Sequence, residues 1–225
     1  MYKLMASCIG ILITVMVAFN GILASYTGNI QSIPFIHIAG LLTASIILIF
    51  KKEKRKSISA PFYLYTAGII GVVLTLINNL CFSTIGVSLF LTLGILGQTM
   101  GSLIADSTGF LGMKKYPFQN SKLVGLIILF LGILVMVDKW EGEMVYMILA
   151  FVAGILVILT MIINTQLSLR VGILNGVQIN FTVGLIFTIL ILLIFKIPMW
   201  ETFRIIKNIN PSSPIKEINS YRRDC

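Results

Sequence analysis

Few side chains in this sequence could do chemistry, and most of those sit inside apolar runs. The stretch Leu93–Gly112, LGILGQTMGSLIADSTGFLG, places Gln98, Ser102 and Asp106 among Gly94, Gly97 and Gly101. On a helix each residue advances about 100°, so Gly94, Gln98, Gly101, Ser102, Ala105 and Asp106 fall within an arc of about 140°. Leu93, Leu96, Met100, Leu103 and Ile104 lie outside that arc. The pattern predicts a helix with a small, polar stripe turned inward and a greasy stripe turned to lipid. Gln98 and Ser102 could hydrogen-bond a polar substrate in a cavity, or a neighbouring helix. Gly94, Gly97 and Gly101 read as helix-packing residues. Asp106 has two readings: a proton-coupling acid or gate, since membrane-embedded acids serve function, or a loop residue paired with Lys114 or Lys115.

Asn20 and Asn164 are the other sharp candidates. A mid-span asparagine without a partner costs several kcal/mol in hydrocarbon, roughly, so each should face protein or water. They could contact substrate or make structural hydrogen bonds. Asn78, Asn79, Gln166 and Asn180 rank behind them. His37, three residues after Pro34, could relay protons, but its place near the start of an apolar run reads as interfacial. Arg170 reads as a snorkelling anchor. Cys8, Cys81 and Cys225 show no disulfide pattern. With a single histidine, no metal-ligand cluster, no nucleophile elbow and no phosphate loop, the sequence predicts no enzyme, no cofactor and no metal.

These residues must be held by membrane helices. The chain of 225 residues is 57% hydrophobic and 11% charged, against about 25% charged in a soluble domain. Its net charge of +9 is spread between the apolar runs, as the positive-inside rule distributes it, and does not form a nucleic-acid footprint. A span needs about 20 apolar residues. Seven runs qualify, near 4–24, 33–50, 62–82, 87–105, 121–138, 144–168 and 174–195. The first is too long for a signal-peptide core of about 7–15 residues. With a cytoplasmic N-terminus, the inside receives ten basic residues (Lys3, Lys51, Lys52, Lys54, Arg55, Lys56, Lys114, Lys115, Lys122, Arg170) and the outer loops before the tail receive only Lys139. After an odd seventh span the tail falls outside, yet it carries Lys196, Arg204, Lys207, Lys216, Arg222 and Arg223, against the pattern that the rest of the chain obeys. The loop Lys51–Lys56, KKEKRK, reads as a solvated cytoplasmic segment touching anionic headgroups.

A shift of 144 residues superposes the chain on itself. Ala6 meets Ala150, Gly10-Ile11-Leu12 meets Gly154-Ile155-Leu156, Asn20 meets Asn164, Leu23 meets Leu167, Gly28 meets Gly172 and Gly40 meets Gly184. The repeat unit holds five spans. Five is odd, so the second copy enters from the opposite side, which is the inverted-topology repeat of many secondary transporters. The counterpart of 61–81 is 205–225, IIKNINPSSPIKEINSYRRDC, which has no apolar run. The expected architecture is an all-α integral membrane protein of seven transmembrane helices. It comprises a complete five-helix unit over 1–140, the first two helices of an inverted repeat over 141–196, and a polar basic tail over 197–225.

The run Gly97-Gln98, Ser102, Asp106, Phe110 or its neighbour Gly109, and Gly112, followed by Lys114-Lys115, Pro117 and the Leu123-Val124-Gly125 span, resembles the YdcZ-like branch of the drug/metabolite transporter superfamily. The openings Gly10–Gly28 and Gly154–Gly172 are similar to the family's first helix with its central asparagine, and the resemblance covers about residues 1–195. It implies a multi-pass protein of a prokaryotic plasma membrane that moves small molecules. It also implies five-helix units working in pairs, so a second copy or a related five-helix subunit is the expected partner besides lipid and substrate. The alternative is a truncated or non-transporting membrane protein that docks partner helices through its glycine-rich face.

Overall fold

The computed structural model describes residues 2–51, 60–116, 120–136 and 144–199. The basic loop from Lys52 to Lys56, the outer-loop residues Lys139, Glu141 and Glu143, and the tail from 200 on, with Cys225, lie outside the described residues. Among the described residues every regular element is helical: α1 (Tyr2–Thr27), α2 (Ser32–Lys51), α3 (Thr66–Thr108), α4 (Asn120–Met136), α5 (Met144–Val171) and α6 (Ile173–Ile194), with short 3-10 turns at Phe62–Tyr65 and Phe110–Gly112.

Five helical segments are long and apolar enough to cross a membrane: Ser7–Thr27, Ser32–Lys51, Phe62–Thr108, Met144–Val171 and Ile173–Ile194. α4 is shorter, with its apolar part at Val124–Val135. The helices expected near 62–82 and 87–105 follow one another within α3 with no coil between them. Its 43 residues would reach roughly 65 Å if straight, about twice the hydrocarbon thickness. It is not straight. Gly86 sits at φ 74, ψ 163 in the middle of the helix, a conformation open essentially to glycine alone.

The contacts with α5 show what that corner does. Before Gly86 the chain runs against α5: Leu64 and Ala67 pack with Ile163, Leu167 and Val171, and the Cys81 thiol reaches the Tyr146 carbonyl at 3.4 Å. After Gly86 it runs along α5. Gly97 lies at Phe151 and Gly154, Gly101 lies at Ile155 and Ile158, and Met113 meets Gln166. The two halves of α3 are therefore antiparallel to each other. No polar loop separates them because one glycine suffices to reverse the chain.

The α1–α2 and α5–α6 connections are built alike. Gly28 and Gly172 both have φ 99. The Gly28 amide donates to the Ala24 carbonyl at 2.8 Å and the Gly172 amide to the Ser168 carbonyl at 2.9 Å. Four residues on, Ser32 N donates to Gly28 O and Gly176 N to Gly172 O. Each glycine ends one helix at a positive φ that favours glycine and opens the next. α2 then packs on α6 in opposite senses: Ser45 accepts from Gln178 at 3.1 Å, Gly40 faces Phe181, and Gly184 faces His37.

Candidate functional site

Between α1, α2, the first half of α3 and α6 lies a cleft of about 200 Å³. Its polar lining comes from Asn20, His37, Thr75, Asn78, Asn79 and Asn180, and its aromatic walls are Phe82 and Phe181. Glycine backbones let the helices come this close. A Cβ on Gly21 would stand 2.6 Å from the Phe82 ring, and one on Gly40 would stand 2.7 Å from Cδ1 of Phe181. A Cβ on Gly68 would meet the Asn180 carbonyl oxygen at 2.6 Å and the Gly184 amide nitrogen at 2.8 Å. The α2–α6 contact is reciprocal: the His37 ring fills the notch at Gly184, and the Phe181 ring fills the notch at Gly40. The two rings meet edge-on, 6.0 Å between centroids at 80°.

Hydrogen bonding decides which lining groups could serve a ligand. Asn79 Nδ2 donates to the Asn29 carbonyl at 3.0 Å and to Ser32 Oγ at 2.9 Å, so this amide is committed to holding the α1–α2 turn on α3. Thr75 donates its hydroxyl proton to Gly71 O of its own helix at 2.8 Å. His37 Nδ1 lies 2.9 Å from the Ile33 carbonyl, which assigns the ring proton to Nδ1 as donor and leaves Nε2 as an acceptor on the α6 side. Asn180 Oδ1 is buried with no hydrogen-bond partner. A buried carbonyl oxygen left unpaired costs about 1–3 kcal/mol, and a bound donor group would recover that. The lining holds no side chain that is ordinarily charged, so it can select by hydrogen bonds and shape.

The sequence candidates separate in space. Asn20 lines the cleft, while Gln98, Ser102 and Asp106 lie on the second half of α3, outside that lining. Ser102 donates to the Thr99 carbonyl of its own helix at 2.9 Å. Asp106 is half-buried near the end of α3, and its backbone carbonyl accepts from Tyr116 N at 2.9 Å. Asn164 is on α5, with Oδ1 buried and unpartnered, outside the cleft. Gly94, Gly97, Gly101 and Ala105 are buried, and Ile95, Met100 and Ile104 are exposed, as a small-inward stripe requires. Leu93 and Leu96, expected on the lipid side, are buried too, because this half of α3 is flanked by α4 as well as α5. His37, read from sequence as interfacial, is 4% exposed and enclosed by protein, five residues from the start of α2 at Ser32. Asn180, ranked behind Asn20 and Asn164 in the sequence, lines the cleft beside Asn20; its neighbour Phe181 is the counterpart of His37 under the 144-residue shift.

The sequence pattern of the family described as "Putative inner membrane exporter, YdcZ" matches residues 1–135 and 145–213. The chain belongs to this family. This YdcZ-family protein is a multi-pass membrane transporter of the inner-membrane exporter type, which is not an enzyme class. Lipid bilayer and small-molecule cargo are its natural surroundings. No curated protein and no solved structure matches the chain.

Proposed function

We propose that this chain exports small, uncharged polar molecules by alternating access, with the α1–α2 and α5–α6 pairs acting as inverted repeats that rock about the α2–α6 contact. The observation that carries this reading is the reciprocal seating of His37 on Gly184 and Phe181 on Gly40. Those positions correspond under the 144-residue shift, so the contact has the form of a local twofold in the membrane plane, and the cleft opens beside it. The matched turns at Gly28 and Gly172 support the same reading, as does a family match that resumes at residue 145. A midplane site at a repeat interface is where transporters of this design hold cargo.

In this proposal α3 supplies two passes and α4 one, giving seven with the N-terminus cytoplasmic. The units are 1–140, 141–196 and the tail from 197. The packing senses agree: α2 opposes α6, and the second half of α3 parallels α5. The Gln166–Met113 contact gathers Lys114, Lys115 and Arg170 toward one end, the cytoplasmic one. Asn20 and Asn180 bind cargo in the cleft. Gln98, Ser102, Asp106 and Asn164 serve a second stretch of the path beside α5. The alternative of a docking factor using its glycine face loses its surface, because α5 of the same chain fills that face.

Alternating access can be tested without knowing the cargo. Asn78→Cys, introduced with Cys8→Ser, Cys81→Ser and Cys225→Ser so that it is the one thiol, should react with an impermeant thiol reagent from either side of oriented vesicles. Labelling confined to one side in all conditions would refute the exchange of openings.

A further inference from the structure

The lining of the cleft is selective in its chemistry. Among the described residues that form it, His37 is the one ionisable side chain. Thr75 and Asn79 are committed to hydrogen bonds within the protein. That leaves the carboxamides of Asn20, Asn78 and Asn180 and the rings of Phe82 and Phe181. Each carboxamide has a ring for a neighbour. Asn180 precedes Phe181 in α6. Asn78 stands one turn before Phe82 on α3 and shares its face. Asn20 adjoins Gly21, where the Phe82 ring rests. Three carbons of that ring stand 2.6, 2.6 and 2.7 Å from a Cβ built on Gly21, and such nearly equal distances mean that it lies face-on against the α1 backbone. The Phe181 ring is held between Gly40 and the His37 edge. Both rings are therefore fixed flat walls.

A flat wall favours a flat partner, stacked with an offset. A carboxamide carries donor and acceptor side by side, so the edge that satisfies it completely is another amide, through two parallel N–H···O bonds. Asn180 Oδ1 has no partner, and the terminal torsion of asparagine is broad, so this oxygen can turn to meet a ligand N–H. An ammonium would find no carboxylate in the lining, and an anion no lysine or arginine; either would be buried unpaired. A sugar brings many hydroxyls, and each one left without a partner weakens binding. A ring with one amide brings a single donor–acceptor edge, which one asparagine satisfies. The cleft of about 200 Å³ is smaller than the roughly 300–1,000 Å³ of drug-sized pockets, which limits the ligand to a small ring compound.

We propose that the cargo is a small, neutral, flat ring compound with an amide edge, such as an arene carboxamide, a lactam or an imide, its amide paired with Asn180 and its ring stacked on the phenylalanine walls. This rests on the reading of the cleft as the cargo site and narrows what that site takes.

The full chain in detergent, where either opening admits reagent, provides the test. Leu74 lines the cleft and takes no part in the proposed recognition. Leu74→Cys, with Cys8→Ser, Cys81→Ser and Cys225→Ser, should be labelled by a maleimide, and benzamide or uracil at about ten times its Kd should slow that labelling about tenfold. Methyl benzoate, which lacks the N–H, benzoate, benzylamine and ribose should leave the rate unchanged at the same concentration. Asn180→Leu should weaken the benzamide effect about tenfold, and Asn180→Gln, which keeps the amide, should restore most of it. No protection by benzamide or uracil would overturn the proposal, as would equal protection by any of the other four probes or indifference to Asn180→Leu. If Asn180→Leu fails to fold, the probe series on the Leu74→Cys protein decides. Two-sided labelling at position 78 without benzamide protection would refute this cargo class alone; benzamide protection with one-sided labelling would refute alternating access alone.

Discussion

Ile163 on α5 is 5% exposed and its counterpart Phe19 on α1 is 67% exposed, although both occupy the same register of helices that share Gly10/Gly154, Asn20/Asn164 and Leu23/Leu167. The difference arises from connectivity. The α3 hairpin lays both its halves on α5, while α1 meets α3 only along its inner edge. In lipid the tails are as apolar as leucine, so hydropathy gives no preference for a buried over an exposed surface. Burial follows from which neighbour arrives, and glycines decide how closely it can approach. One sequence pattern has thus been placed in two solvents, protein and lipid, and pairs of substitutions can separate pattern from surroundings.

The largest contrast is expected at the glycine pair. Gly154→Leu would drive a side chain into the backbone of Gly94, Gly97 and Gln98, and should cost about 3 kcal/mol or more. Gly10→Leu should stay within about 0.5 kcal/mol in the single chain. Thermal unfolding of each purified variant in detergent reads both values, and equal losses would erase the contrast. An intermediate effect is expected at the turns. Gly28→Ala and Gly172→Ala each force alanine to φ 99, at about 1–3 kcal/mol apiece, and at Gly28 the new Cβ also meets the Gln31 side chain. A difference larger than either cost would show that the two connections are not equivalent. The smallest effect on stability belongs to the asparagines. Asn164→Leu removes a buried, unpartnered oxygen and should be neutral or stabilising by up to about 1 kcal/mol. Asn20→Leu should leave unfolding nearly unchanged but remove two-sided labelling at position 78. Asn180→Leu should behave like Asn20→Leu in the labelling assay.

The apolar runs were legible because a membrane helix must satisfy its backbone internally and needs a fixed length to cross. The glycine stripe at 94, 97 and 101 was legible for a related reason, since small residues at helical spacing have few uses in lipid besides close contact. The tightness of the reversal at Gly86 was not legible. A hydropathy reading expects a polar loop between passes, and the 83–88 segment, Ser-Thr-Ile-Gly-Val-Ser, reverses without one: Ser83 donates to Leu80 O at 3.0 Å and Thr84 to Leu80 O at 2.9 Å. The grouping of the polar candidates was also hidden. Helical register fixes which side of one helix a residue takes, but not which helix stands opposite, so Asn20 could not be separated from Gln98 or joined to Asn180 before the packing was known.

The corner at Gly86 has a consequence for biogenesis. It carries no lysine or arginine, so nothing in it can tell the translocation machinery which leaflet to choose. In the proposed orientation the decision is taken at its two flanks, by Lys51 upstream and Lys114–Lys115 downstream. Both limbs should then be released into the bilayer as one co-inserted unit, without a halt between them.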